Sequence, residues 1–141
     1  MSQLSIPEDL RSLVAQLADY RCEYCQTPMW LTGIAHEIDH IIPRAESGPT
    51  TADNLCLACS SCNGYKHTKT HGLDPETNQE TALFHPRQQD WLQHFTWDED
   101  GTHLVGLTPQ GRATVEVLRL NHSLIVTARA IWVSAGYHPP T

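Results

Sequence analysis

The apolar positions along the chain fall into three stretches of different character. Over residues 6–20, Leu10, Leu13, Val14 and Leu17 recur at i, i+3, i+4 and i+7, the spacing of one helix face. Pro7 suits a first helical turn, and Glu8 and Asp9 stand where the helix dipole favours negative charge. This predicts an amphipathic helix with its apolar stripe on the core. Residues 21–71 have no long periodic segment. Ile34 to Ile42 predicts a strand ended by Pro43, Gly48-Pro49 a turn, Leu55 to Ala58 a second short strand or turn, and the residues after Cys62 a short helix. Residues 72–90 predict a connector punctuated by Asp74-Pro75 and His85-Pro86.

From Trp91 onward the pattern changes again. Phe95 and Trp97 alternate with polar neighbours, Asp98 to Gly101 predicts a hairpin turn, and His103-Leu104-Val105 resumes a strand. Val115, Leu118, Leu124, Ile125, Ala128, Ile131 and Trp132 then follow helical spacing between Gly111 and Ala135, with a break at Asn121 and a cap at Asn121 or Ser123. The aromatic set Trp91, Phe95, Trp97 and Trp132 is expected in the core. The expected organisation is α+β: a helix over 1–20, a chemistry-bearing unit over 21–71, and a hairpin-plus-helices extension over 72–141 packed on it.

Composition narrows the function. The 141 residues suit one compact domain with an appendage. The formal charge of −7 argues against a free-standing electrostatic DNA coat. No apolar run reaches the ~18 residues of a membrane span, and the N-terminus has neither a basic start nor an apolar signal core, so a cytoplasmic setting is expected. Nine histidines and five cysteines are many for this length. An odd number of cysteines fits a closed disulfide framework poorly, and in a reducing compartment metal binding is the better expectation.

The cysteine spacing supports that expectation. Cys22 and Cys25 form one C-x2-C pair, and Cys59 and Cys62 form a second. Two such knuckles complete a tetrahedral four-sulfur zinc site with no open position, which makes the metal structural. Cys56 falls outside both pairs, within an apolar run, and is expected to be a small core residue. Between the pairs lie His36-Glu37-Ile38-Asp39-His40-Ile41-Ile42-Pro43 and Asp53-Asn54-Leu55, with Asn63 and Lys66 close behind the last cysteine.

In that order, these residues resemble the HNH endonuclease family. The resemblance covers residues 21–69, about a third of the chain. It implies a ββα-metal finger in which Asp39 and His40 end the first strand, Asn54 lies in the loop between the strands, and Asn63 begins the helix. It further implies that Asp39 and Asn63 hold a catalytic Mg2+ or Mn2+, that His40 is the general base, and that Asn54 fixes the loop positioning His40. Asn63 stands where many members have His, which favours a hard cation over a softer one.

The chemistry supports the same roles. Phosphodiester hydrolysis needs an activated water and charge neutralisation at the phosphate. A histidine that titrates near neutral pH can take the water proton, and a carboxylate with an amide oxygen can hold a hard cation. On an extended strand, however, Asp39 and His40 point to opposite faces, so a bend or a shared cleft is required. Arg44 and Lys66 flank the expected site and are expected at phosphates.

The leading expectation is therefore a divalent-metal-dependent DNA endonuclease. RNA remains open as a substrate because the chemistry is shared. The competing expectation is a non-catalytic zinc module that recognises nucleic acid or protein. The residue set Asp39, His40, Asn54 and Asn63 separates the two, since a structural zinc site needs none of it. Residues 21–71 carry a net −1 against −4 for residues 72–141, so weak local DNA binding is expected unless a protein partner or a second copy adds basic surface.

Overall fold

The computed structural model describes residues 6–140. In chain order its elements are α1 (Glu8–Leu17), α2 (Met29–Thr32), β1 (Glu37–His40), β2 (Leu55–Ala58), α3 (Ser60–Lys66), β3 (His71–Leu73), β4 (Glu80–Ala82), α4 (Trp91–His94), β5 (Phe95–Trp97), β6 (Leu104–Gly106), α5 (Pro109–Val117) and α6 (Ser123–Ser134). The fold is α+β with a ββα core. Its strands form three separate antiparallel hairpins, β1–β2, β3–β4 and β5–β6. An isolated two-stranded hairpin is marginal in water, so each must be supported from outside.

The register of β1–β2 decides what each face supports. Ile38 pairs with Leu57 and His40 with Leu55, while Glu37 pairs with Ala58 and Asp39 with Cys56. Side chains alternate across a strand. One face therefore presents Ile38, Leu55 and Leu57, which cluster with Ile6 and Val14 beneath α1. The other presents Cys56 and Ala58, which join Cys22, Tyr24, Cys25, Cys62, Phe84, Phe95, Leu104, Leu118 and Leu120 in the larger core cluster. This second cluster runs without interruption from the cysteine knuckles into residues 83–120.

Several expectations change here. The apolar stripe of α1 is narrower than its spacing implied: Val14 is buried, whereas Leu13 and Leu17 are exposed. The first strand is four residues, not nine, because Ile34 is exposed before it begins and the chain bends after His40. The helix near the second knuckle starts ahead of Cys62, with the Cys59 side chain capping it by accepting from the Cys62 amide. Residues 72–90 are more than a connector, since β3–β4 lies there and packs beside α5. The cap of α6 is His122, whose ring accepts from the Ile125 amide, and neither Asn121 nor Ser123. Among the described residues, no helix is long and apolar enough to cross a membrane.

Candidate metal and nuclease centre

The two C-x2-C pairs converge. The sulfurs of Cys22, Cys25, Cys59 and Cys62 all lie within 4.8 Å of one another. Cys25 and Cys59 Sγ are 3.8 Å apart, close to the edge of a tetrahedron with metal–sulfur bonds of ~2.3 Å. In each knuckle the backbone turns back on its first sulfur. The Cys25 amide donates to Cys22 Sγ and the Cys62 amide to Cys59 Sγ, each at 3.4 Å. Such donors stabilise a thiolate over a thiol. With four thiols crowded together, bonds from Cys22, Cys59 and Cys62 hold Cys25 well below the ordinary thiol range, whereas burial and the neighbouring sulfurs push Cys22 up. The Cys25 thiolate is favoured while Cys22 and Cys62 resist ionising, which is the electrostatic situation a divalent cation relieves. The donor set is fit for a metal. Cys56 lies outside it, fully buried beneath Tyr24 and Asp39.

The two residues at the end of β1 face apart. Asp39 is buried against α3, where its Oδ2 accepts from the Tyr24 hydroxyl at 2.9 Å and pairs with the Lys66 ammonium at 3.1 Å. Lys66 is itself only 1 % exposed and also donates to the Ile41 carbonyl at 3.0 Å. The expectation that Lys66 meets phosphate is therefore corrected. Its charge is spent inside the protein, neutralising Asp39 and tying α3 to the end of β1. A lone buried carboxylate on that face would otherwise carry a large desolvation cost.

His40 leaves the opposite face. Its Nε2 lies 2.9 Å from Thr50 Oγ1, and the Arg44 Nε reaches the same nitrogen at 3.3 Å. Arg44 also donates from Nη2 to Thr50 Oγ1 at 2.9 Å. Burial, then the charge of Arg44, lowers the His40 pKa from its ordinary value, so the ring is neutral near pH 7. Because Arg44 Nε–H donates to Nε2, the lone pair lies on Nε2, and Nδ1 makes no hydrogen bond among the described residues.

The turn that carries Thr50 is clamped by Asn54. This buried amide accepts from the Ile42 N–H at 2.9 Å and donates to the carbonyls of Ile42 at 3.0 Å and Pro49 at 2.9 Å. Gly48 fits beneath it because a Cβ there would collide with the Ile42 carbonyl and lie 2.9 Å from Asn54 Nδ2. Asn63 is the fourth residue of α3. Its Nδ2 donates to Glu37 Oε1 at 2.7 Å, which leaves its Oδ1 as the atom offered outward.

The structure therefore joins Asp39 with Lys66 and Tyr24, Asn63 with Glu37, and His40 with Arg44 and Thr50. Sequence reasoning left out Tyr24, Thr50 and the Glu37–Asn63 pair. Tyr24 lies inside the first knuckle, where only the cysteines drew attention, and Thr50 carries no spacing signal at all. His36 is held away from His40, with its ring on the Thr27 carbonyl at 2.8 Å.

The comparisons with known proteins agree with this geometry. Residues 22–69 match the family model described as HNH endonuclease. Over 52 residues the chain is 40 % identical to the CRISPR-associated endonuclease Cas9 of Corynebacterium diphtheriae, which covers 36 % of this chain and 5 % of that protein. The chain thus corresponds to about one-twentieth of the length of that relative. No solved structure matches.

Proposed function

We propose that this chain is a divalent-metal-dependent endonuclease that hydrolyses DNA phosphodiester bonds, with His40 as general base and zinc in the four-cysteine site as a structural metal. The observation that carries the proposal is His40 itself: a neutral, half-buried imidazole with one nitrogen on Thr50 and the other without a partner, on a loop that Asn54 fixes from three sides. A buried zinc knuckle has no use for such a loop.

His40 takes the proton of the attacking water, and Thr50 and Arg44 hold the ring at Nε2. Arg44, on the exposed side of the same turn, opposes a proton on the ring and offers a guanidinium to the phosphate. Asn63, oriented by Glu37, and Asp39 are the residues that would hold Mg2+ or Mn2+, which supplies charge neutralisation on the phosphate when bound. Mg2+ takes only one or two protein ligands plus phosphate oxygens, so two donors would suffice for a cation that keeps most of its water. Asp39 Oδ1 meets Lys66 at 3.4 Å, more loosely than Oδ2 does at 3.1 Å, so Oδ1 is the less committed oxygen. The Lys66 charge beside it should make cation affinity low until a phosphate is present.

A reduced cytoplasm suits the thiols, and this reading keeps the organisation into a leading helix, a finger over 21–71 and an extension over 72–141. The pairing of Asp39 with Lys66 favours one competing account, in which the finger is a binding module and Asp39 is purely structural. Plasmid cleavage with Mg2+ or Mn2+, with and without EDTA, separates them. Wild-type protein should cleave and EDTA should stop it. His40→Ala should fold, keep its zinc, and lose roughly 10²–10⁴-fold in rate. Cleavage by His40→Ala at the wild-type rate would reject the base and favour the binding module, with a contaminating nuclease as the source of the cleavage.

A further inference from the structure

Arg129 is a fully buried cation at the middle of α6, well outside the family match. Its Nη1 donates to the Thr102 carbonyl at 2.9 Å and Asn121 Oδ1 at 3.2 Å, and its Nη2 to the Leu120 carbonyl at 2.7 Å. The guanidinium lies 5.1 Å from the centroid of the Trp97 ring, and Nε has no acceptor. The other deeply placed cations each have a carboxylate: Lys66 has Asp39, Arg87 has Glu23 and Arg112 has Asp74. Arg129 has none within ion-pair distance among the described residues, although the charge of Asp98 acts on it from farther away.

A buried guanidinium held only by neutral carbonyls is costly, because hydrogen bonds do not replace a lost counter-charge. Sulfur is the other source of opposite charge beside it. Arg129 lines the same groove, of about 170 Å³, as Cys25, Cys59 and Cys62, together with the apolar Leu118, Ile125 and Trp132. Four thiolates on one divalent zinc carry a formal charge of about −2, which is itself expensive to bury. Each buried group lacks what the other has.

We propose that Arg129 is the counter-charge of the four-cysteine metal centre, so that α6 of the extension stabilises the metal in the finger. Burial lowers the guanidinium pKa from its ordinary value, and the sulfurs of Cys25, Cys62 and Cys59, followed by Asp98, act in the opposite direction. The proposal rests on the zinc assignment and gives the extension a physical task. Because the metal draws the thiols into their charged form, α6 packing and metal retention reinforce one another through a single side chain.

The test compares R129Q, which removes the charge, with R129K, which keeps it. Zinc content of the wild-type protein comes first, since its absence would end the zinc assignment independently of Arg129. In zinc-loaded protein, transfer of the metal to a chelating dye should be on the order of tenfold faster for R129Q, the size expected for one screened charge interaction across a protein interior. R129K should stay near wild type. In cobalt-substituted protein, the thiolate-to-metal charge-transfer bands should move to lower energy in R129Q, because the sulfur electrons lose a neighbouring positive charge, and should stay in place in R129K. A folded R129Q with wild-type zinc transfer and unmoved bands overturns the proposal. So does R129K behaving like R129Q, or failing to fold, since the hydrogen-bonding fork and not the charge would then be the requirement.

Discussion

The finger, residues 22–69, and the extension that follows it both bury charged side chains, but they do so for different ends. In the finger, Lys66, Asp39 and Tyr24 form a closed polar group beneath a four-residue strand, and four sulfurs converge beside it. In the extension, Arg112 grips Asp74 through Nε at 2.8 Å and Nη2 at 2.9 Å, linking α5 to the β3–β4 hairpin within an otherwise apolar core. The Arg112 guanidinium holds the Asp74 carboxyl well below the usual carboxylate range. The extension could lose its ion pair and still have Phe84, Phe95, Leu104 and Leu118 to pack. The finger has two short strands and a seven-residue helix, too little to fold on apolar burial alone. A small unit that must present a polar site to solvent is held by buried pairs and, on the proposed reading, by metal ligation, and a neighbour supplies the apolar packing.

Metal removal should break this contrast most sharply. Stripping zinc, or replacing Cys59 with Ser, is expected to unfold the finger, because structural zinc contributes on the order of 10 kcal/mol in small metal domains. Hydrogen exchange should show β1, β2 and α3 losing protection first, with β5, β6 and α5 following partly, since both share one core cluster. Equal and simultaneous loss across both regions would show a single cooperative unit and erase the distinction. Cys56→Ser, by contrast, should keep zinc and fold.

The next test removes one partner of the finger's buried pair. Lys66→Met leaves Asp39 with Tyr24 and Cys56 but no cation, and breaking a buried pair in this way costs about 3–5 kcal/mol. Thermal unfolding of zinc-loaded protein measures it. If Lys66 instead served phosphate, as its spacing implied, stability would be unchanged and DNA affinity would fall. The same substitution bears on the cation site, because a carboxylate freed of its ammonium should bind Mn2+ more tightly. Arg112→Met in the extension should cost less than Lys66→Met, because Asp74 keeps the Glu76 amide and the Thr77 hydroxyl.

Much of the candidate site is legible in the chain because it is written as spacing. Two C-x2-C pairs, an Asp-His pair before Ile-Ile-Pro, and an asparagine four residues after Cys59 need no three-dimensional information to be noticed. What the spacing does not carry is which way each side chain turns. Lys66 lies close to the site in sequence, yet the helical turn carries it inward to Asp39, because the interior needs a cation there more than the surface does. The β3–β4 hairpin was illegible for a related reason. Its strands are three residues each, carry almost no apolar alternation, and exist because α5 covers them. Arg129 was invisible as well, since a lone arginine in an apolar helix reads as a solvated head group until the packing shows otherwise.

The smallest expected effect concerns the base. Burial, then Arg44, lowers the His40 pKa, while Asp39 acts in the opposite direction and Lys66 in the same direction as Arg44. Only the neutral ring can accept a proton, so activity should rise with pH, with its midpoint below the ordinary histidine value of 6.5. Arg44→Ala removes the second of the lowering causes and leaves the first. The midpoint of the rising limb should therefore move up in pH while remaining on the acid side of an exposed histidine. Measured at saturating DNA, the profile reports the enzyme–substrate complex and so separates this shift from any loss of phosphate contact, which appears in KM. An unmoved midpoint with a raised KM would make Arg44 a substrate contact alone. The contrast between the regions would then narrow, because the exposed face of the finger, like the surface of the extension, would carry a cation that does nothing to its neighbours' protons.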